Sequence, residues 1–478
     1  MIVMKFGGTS LARAGAIRKV GRIVRRFASR RPVVVVSALA GVTDDLLALA
    51  AVAAAGRRRE VSRRLARLAE RHHAATRGLA LQGKDSRSLQ GAIAAEIAEL
   101  REILHGILLL REPSRRSLDL VASFGERLSA RLLAAHLRSL GLEAHYADAR
   151  DLVLTDDAHG AAAVDLTATF RRVRRRLGSL RDSGGVPVVT GFIGRTRQGA
   201  TTTLGRGGSD YTAALLGEAL GAREIWIWKE VDGVCTADPG VVPGALVVPR
   251  ISYQEAAEMA HFGAEVLHPK TMQPARRRGI PIRIKNTFRP DAPGTLITAR
   301  PAGRGGPLMV SSMGGMALVT IEGAGIIGQP GMVMRLLAPV AAAGTNIYMI
   351  SMSSSEYNIS FAILQTDLER TLRALQRDFR ERGLLEDQVA RILVERGMAA
   401  VAVVGAGMKG QRGIAGRIFS ALGDRGVNVV AIAQGSSECN ITVLVKERSA
   451  LRAVRAIHDR LNVPRHTGRR PAGLRAAG

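Results

Sequence analysis

Two segments of this sequence set cations among glycines, as a site for a transferred phosphoryl group or a carboxylate would require. Lys5-Phe6-Gly7-Gly8-Thr9-Ser10 follows the apolar residues Ile2, Val3 and Met4 and precedes an amphipathic stretch. Adjacent glycines let a backbone approach a phosphate closely, and free amides at a helix N-terminus favour an anion. A lysine at a strand end adds a point charge for phosphoryl transfer. No Walker sequence is present, so an ordinary strand-to-helix turn accounts for the same residues. The second segment, Thr203-Leu204-Gly205-Arg206-Gly207-Gly208-Ser209-Asp210, leads into an apolar helix. Ser209 or Asp210 would cap that helix. Capping does not account for Arg206 among three glycines; a guanidinium in a bare loop suits paired hydrogen bonds to a carboxylate or phosphate.

Two further segments are more ambiguous. Ser123-Phe124-Gly125-Glu126-Arg127 reads as the opening of a helix, where Glu126 would complement the helix dipole or hold a substrate ammonium. Lys229-Glu230-Val231-Asp232-Gly233-Val234-Cys235-Thr236-Ala237-Asp238-Pro239 follows an apolar strand directly. That loop suits a nucleotide and equally suits a plain connection.

Hydrophobic period indicates the elements that must position these residues. Residues 1–40 read strand, Gly-rich turn, helix, strand, and the four valines at 33–36 suit a strand buried on both faces of a parallel sheet. Residues 44–140 are mainly helical, and strands return at 187–190 and 224–228 around a helix over 209–220. The fold class is therefore α/β, a sandwich with a mainly parallel sheet, in which ligands sit at the carboxyl ends of the strands. A Gly-, Pro- and Ser-rich stretch over 299–315 ends the first domain.

Beyond it the sequence repeats. A shift of 82 maps Gly323 onto Gly405, Gly325 onto Gly407, Gly331 onto Gly413 and Asn346 onto Asn428. It also maps Ser354-Ser355-Glu356 onto Ser436-Ser437-Glu438. Each copy reads as a small α+β module. The expected division is a first domain over 1–298, a linker over 299–313, modules over 314–395 and 396–463, and a basic, disordered tail over 464–478.

Composition narrows the class. With 478 residues and 46% apolar content the chain suits two or three globular domains. No apolar run reaches the roughly 18–20 residues of a membrane span, and the N-terminus reads as a strand rather than a signal peptide, so a soluble cytoplasmic protein is expected. Two distant cysteines, Cys235 and Cys439, form neither a disulfide framework nor a zinc site. His72, His73, His261 and His268 show no metal-ligand spacing and are read as structural. The net charge of +28 would suit nucleic acid, but the arginines have no interleaved aromatics for base stacking. Solvated helix faces are the expected reading, with neither nucleic acid nor membrane as partner.

In order along the chain, these segments resemble the aspartokinases of the amino-acid kinase superfamily. The likeness runs from Val3-Met4-Lys5-Phe6-Gly7-Gly8-Thr9-Ser10-Leu11 through the three later segments. It continues into Phe262-Gly263-Ala264-Glu265-Val266-Leu267-His268-Pro269-Lys270-Thr271 and Ile284-Lys285-Asn286-Thr287. The repeats resemble paired ACT modules, particularly those of bifunctional aspartokinase–homoserine dehydrogenases. The resemblance implies a three-layer kinase sandwich followed by two ferredoxin-like modules. It also implies transfer of the γ-phosphoryl group of MgATP to the β-carboxylate of L-aspartate, the first step toward lysine, threonine and methionine.

By that resemblance Lys5 contacts the transferring phosphoryl group, and Gly7 and Gly8 give amides to the phosphates. Glu126 binds the aspartate ammonium, Arg206 clamps its α-carboxylate with Asp210 orienting that end, and Thr43 lies near the substrate. The loop with Lys229, Glu230, Cys235 and Asp238 holds the nucleotide. The family's usual Thr-Asp, aromatic, arginine and lysine are here Lys229-Glu230, Cys235, Gly240 and Glu265, with Lys229 or Lys270 as substitute cations.

An end product, threonine first and lysine second, is expected at the repeats. Gly325, Met332, Gly407 and Gly413 mark the loops, with Asn346 and Asn428 nearby. In threonine-sensitive relatives a glutamine precedes each Ser-Ser run; Gln434 matches, but the first repeat has Met352. A thioether cannot replace an amide, so one site is expected to be weakened. The modules are also expected to join copies into a homo-oligomer.

Other readings remain at this point. Gly405-Ala406-Gly407-Met408-Lys409-Gly410 imitates a dinucleotide fingerprint, but no acidic residue ends the following strand, and too few residues follow for a dehydrogenase domain. A catalytically impaired amino-acid sensor and another acyl-phosphate-forming kinase are the remaining alternatives.

Overall fold

The computed structural model describes residues 1–262, 267–300, 309–323, 330–352, 358–383, 389 and 391–461. It divides into two compact units, Met1–Val234 with Pro249–Tyr253 and Val266–Arg300, and Cys235–Val248 with Gln254–Glu265 and Pro301–Gly478. Among the described residues no helix is long and apolar enough to cross a membrane.

The first unit begins β1 (Ile2–Phe6), α1 (Ala14–Arg26), β2 (Pro32–Val36), α2 (Val42–Ala54), α3 (Arg58–Gly78), α4 (Gly83–Leu110) and α5 (Arg115–Ser139). It continues β3 (Ala144–Ala147), α6 (Leu166–Asp182), β4 (Val186–Thr190), β5 (Ile193–Arg195), β6 (Thr201–Thr203), α7 (Gly208–Leu220) and β7 (Glu224–Lys229). After β8 (Arg250–Ser252) and α8 (Tyr253–His261), which passes into the second unit at Gln254, come α9 (Pro269–Arg278), β9 (Ile282–Asn286) and β10 (Thr295–Thr298). One eight-stranded sheet runs β3-β4-β2-β1-β7-β9-β10-β8, parallel except where β9 meets β10.

β1 and β2 are buried at every position, as strands covered on both faces must be. Met4, Phe6, Val34 and Val36 join the core built with α1 to α5. Successive side chains of a strand alternate between faces, so Lys5 faces the opposite, α7 side. A buried lysine needs a counter-ion, and α7 supplies Asp210.

Two local expectations need correction. Ser123-Phe124-Gly125-Glu126 lies in the middle of α5, not at a helix opening. Gly125 is there because a Cβ would stand 2.6 Å from the Ala38 Cβ; close packing, not a turn, requires the glycine. The N-cap of α7 is Gly207 (φ 72°), without a side-chain cap, because the carboxylate of Asp210 is engaged by Lys5. The four-residue strand β3 lies outside the elements that the hydrophobic period indicates.

The second unit contains β11 (Met309–Glu322), α10 (Met332–Ala342), β12 (Met349–Met352), β13 (Asn358–Leu364), α11 (Leu368–Glu381) and β14 (Arg391–Val404). Helix Ile414–Gly423, β15 (Ala431–Gln434), β16 (Asn440–Lys446) and helix Ala450–Leu461 complete it. The repeat is visible in the strands: β11, β12 and β13 coincide with β14, β15 and β16 at the 82-residue offset. The antiparallel sheet order, β12-β13-β11-β14-β16-β15, is accordingly symmetric about its middle.

The two modules are interleaved rather than consecutive. Met309 pairs with Val404 at one end of β11, and Glu322 pairs with Arg391 at the other. Val310 packs in the second repeat's core, while Ile392 and Val394 pack against the first repeat's core. Each long strand therefore serves both modules, and Gly315 (φ 67°) and Gly397 (φ 65°) lie where the register shifts or bends. Residues 309–313, expected as linker, are strand.

Residues 235–248 and the body of α8 also belong to this unit. Ala237, Val242 and Ala245 join the second repeat's core, Thr236 Oγ1 lies 3.0 Å from His458 Nε2, and Glu255, fully buried, accepts from the Ala406 amide at 2.7 Å.

Candidate functional site

A cleft of about 510 Å³ opens at the carboxyl ends of β1, β2 and β4 in the first unit. Lys5 and Gly8 reach it from β1, residues 37–41 with Thr43 and Asp44 from β2, Glu126 from α5, and 205–210 from the α7 entry; Gly160 and Phe192 complete the lining. The chain thus brings together Lys5, Gly8, Thr43, Glu126, Arg206 and Asp210. Gly7 is adjacent, since a Cβ there would lie 3.6 Å from Lys5 Nζ.

The electrostatics follow from burial. Lys5 Nζ lies 2.6 Å from Asp210 Oδ1, and both side chains are only 8% exposed. Glu126 is 3% exposed and its Oε1 accepts from the Ala38 amide at 3.1 Å, while Oε2 is buried without a hydrogen-bond partner. Burial pushes its carboxyl up to about 8, against the opposing pull of the Ala38 amide and the Lys5 charge. An unpartnered buried carboxylate oxygen in an open cleft is costly unless a ligand completes it.

Backbone strain marks the same place. Phe192 adopts φ 68° without being glycine; its amide donates to Thr212 Oγ1 at 3.1 Å and its carbonyl accepts from Leu204 at 2.9 Å. Gly207 also needs its left-handed backbone, and a Cβ there would stand 2.8 Å from the His268 Cβ. Sequence reasoning missed Phe192 and Gly160. For Phe192 the available signal was its position just beyond a parallel strand's carboxyl end.

The expected nucleotide loop is divided. Lys229 ends β7. Its carbonyl accepts from Thr287, Asn286 Nδ2 donates to the Glu230 carbonyl and to Asp232, and Thr9 Oγ1 donates to Glu230 at 2.6 Å. Cys235 and Asp238 instead fall in the second unit. Cys235 bridges to Val247, and Asp238 caps its own turn by accepting from Gly240. Neither lines the cleft. Lys270 opens α9 with its Nζ over the Tyr211 ring at 5.2 Å and does not line the cleft. Glu265 lies outside the described residues.

In the second unit a smaller cavity, about 170 Å³, gathers Gly413 and Gln434 with Met408, Gln411, Glu438 and Ile441. Gly407 and Asn428 do not line it. Glu438, unforeseen, holds φ 54° and accepts from the Gly410 amide at 2.7 Å. In the first repeat Met332 is buried, whereas Asn346 and Met352 are exposed. Gly325 lies outside the described residues.

The amino acid kinase family model matches residues 1–286, and the ACT domain model matches residues 319–379 and 401–461. The chain belongs to the amino acid kinase family. Within that family it is similar to aspartokinases. The crystal structure of E. coli aspartokinase III in complex with aspartate and ADP (R-state) superposes with a TM-score of 0.82 at 32% identity, covering 96% of this chain and 99% of that one. The same enzyme in complex with lysine and aspartate (T-state) gives 0.78 at 30% identity, covering 97% and 99%. The bifunctional aspartokinase/homoserine dehydrogenase 2 of Zea mays is 35% identical over 471 residues, 97% of this chain. The chain spans about half, 51%, of that relative's length.

Proposed function

We propose that this chain is an aspartate kinase, transferring the γ-phosphoryl group of ATP to the β-carboxylate of L-aspartate. One observation carries the reading: the cleft sets a buried, half-satisfied carboxylate, Glu126, in the same lining as Arg206, complementary to an amino acid's ammonium and carboxylate. The solved relative with aspartate and ADP supports the same pair of ligands.

In this mechanism Glu126 takes the ammonium and Arg206 the α-carboxylate, with Asp210 and Thr43 ordering that end. The β-carboxylate oxygen attacks the γ-phosphorus; the new O–P bond forms as the bond to the β-phosphate oxygen breaks, releasing ADP and 4-phospho-L-aspartate. Both reactants are anionic, so catalysis rests on positioning and on cationic and amide stabilisation from Lys5, Gly7 and Gly8. Lys229 and Glu230 flank the nucleotide. No three His, Cys, Asp or Glu side chains cluster as a metal cage among the described residues. A Mg²⁺ ion carried on the nucleotide phosphates needs few protein ligands and no such cage. Bound there, Mg²⁺ would neutralise phosphate charge. A cytoplasmic location belongs to the same proposal.

Hydroxamate trapping of the acyl phosphate with ATP and a panel of acidic amino acids tests this. Aspartate alone should give product; product from glutamate only, or none at all, rejects the reading. Arg206→Ala should raise the aspartate KM about twentyfold or more and leave the ATP KM unchanged, because a carboxylate clamp acts in ground and transition states alike. Arg206→Lys should rescue poorly, lacking the paired donors. A rise in the ATP KM alone would reassign the loop.

The second unit is proposed to bind an inhibitory end-product amino acid, threonine or lysine, at the Gln434 cavity, and to join copies through its modules. The amide of Gln434 beside the Gly413 turn supports this, as does the lysine complex of the E. coli relative. Met352 in the first repeat leaves one site weakened. Gln434→Ala should abolish inhibition at millimolar effector while kcat stays within about twofold, since the residue belongs to the second unit and does not line the cleft. Unchanged inhibition in a threonine and lysine titration would exclude the cavity.

A further inference from the structure

Asp119 precedes Glu126 by seven residues on α5, so the two lie on one helix face about 10 Å apart along the axis. It is 4% exposed. Its carboxylate is satisfied by three groups from two separate segments. Oδ1 accepts from the Thr203 hydroxyl at 2.6 Å, while Oδ2 accepts from the Gly160 amide at 3.1 Å and lies 2.8 Å from His159 Nδ1.

These partners are the supports of the arginine loop. Thr203 ends β6, three residues before Arg206, and its carbonyl accepts from Ala162 at 2.9 Å. Gly160 lines the cleft. Gly205 (φ 75°) sits against the same turn, where a Cβ would meet the Ala161 Cβ at 3.3 Å and the Gly160 carbonyl oxygen at 3.4 Å.

We propose that Asp119 is a positioning residue for amino-acid recognition, clamping the Glu126 helix to the β6 strand and the 159–161 turn that back the Arg206 loop. It thereby sets the span between the group that takes the ammonium and the group that takes the α-carboxylate. The inference rests on the roles proposed above for Glu126 and Arg206. A buried carboxylate met by three donors is rigid, because moving any one segment strands a charged oxygen or a backbone amide. Aspartate is short, and a displacement of about 1 Å at either anchor loses productive geometry.

Asp119→Asn tests the clamp, because it removes the charge and leaves one oxygen where two accepted: whichever way the amide turns, its nitrogen replaces an acceptor of a charge-assisted bond. Its aspartate KM should rise about tenfold or more while the ATP KM stays within about twofold. Thr203→Val removes one arm at nearly constant shape and should raise the aspartate KM about threefold, and the double variant should be no worse than Asp119→Asn alone. Thr203→Val carries the test should Asp119→Asn not fold. A general structural defect would instead raise both KM values together, and that outcome overturns the proposal. So does an aspartate KM within about twofold of wild type in both variants. Arg206→Ala, measured alongside, separates two failures. If it raises the aspartate KM and Asp119→Asn does not, only the clamp falls; if it has no effect, the recognition reading falls and the clamp with it.

Discussion

Lys5→Ala is expected to lower kcat by on the order of a hundredfold or more while changing the KM of either substrate little. The lysine stands in a strand buried at every position, with its Nζ 2.6 Å from Asp210 at the carboxyl end of the sheet. A charge held in a water-poor setting acts on the phosphoryl oxygens as negative charge spreads over them, and it needs no reorganisation at that moment. Removing it has a second effect. Asp210 would be left buried without its cation, and breaking such a pair costs about 3–5 kcal/mol of stability. The two effects separate in a second variant. Lys5→Met with Asp210→Asn keeps the aliphatic stem and removes both charges, so its melting temperature should recover while its kcat does not. A Lys5→Ala enzyme with more than about half of wild-type kcat would remove Lys5 from the mechanism.

Glu126→Gln should raise the aspartate KM on the order of a hundredfold and, unusually for an active-site change, increase stability at alkaline pH. The folded protein holds the Glu126 proton to about 8, chiefly through burial, whereas the ordinary value is 4.5. The folded-state value is the higher one, so the carboxyl costs folding nothing below about pH 4.5. The cost grows between 4.5 and 8 and is constant above. A glutamine can keep the Ala38 bond without the charge, giving about 2–4 kcal/mol at pH 8.5 and little near pH 4.5. In the wild type the aspartate KM should fall between pH 6 and 8 as the carboxylate becomes available to the ammonium, and Glu126→Gln should lose that slope. Melting curves at both pH values and aspartate KM profiles measure this. A variant less stable than wild type at pH 8.5, or with an unchanged aspartate KM, would show that Glu126 is already paired.

Stability and recognition meet here in one side chain. The unpartnered Oε2 and the strained Phe192 backbone are features that a protein selected for stability alone would lack. Both lie in the cleft, where a ligand can repay the cost.

Much of this site was legible before folding. Gly7-Gly8 after an apolar strand, and Arg206 among glycines before a helix, are local signals, because each depends on what a few adjacent residues can do with their backbone. The four-valine strand and the 82-residue repeat are likewise carried by residue type and period. Such patterns settle which elements form, that the sheet is mainly parallel, and that a duplicated module follows.

Contacts between distant segments were beyond that reading. Gly125 looked like a turn, but it is a helical glycine that admits Ala38 from 87 residues away. Asp210 looked like a cap, but it answers a buried lysine on another strand. The nucleotide loop looked continuous, yet from Cys235 onward its apolar residues are claimed by the second repeat's core, and the two repeats exchange the ends of their long strands. Asp119 carried no motif at all. Local chemistry can be read from residue order, because backbone freedom, charge and period belong to neighbouring residues. Which charge each buried group meets, and which core each strand end completes, follows from folding, because burial makes an unpaired group costly and its partner is chosen by packing.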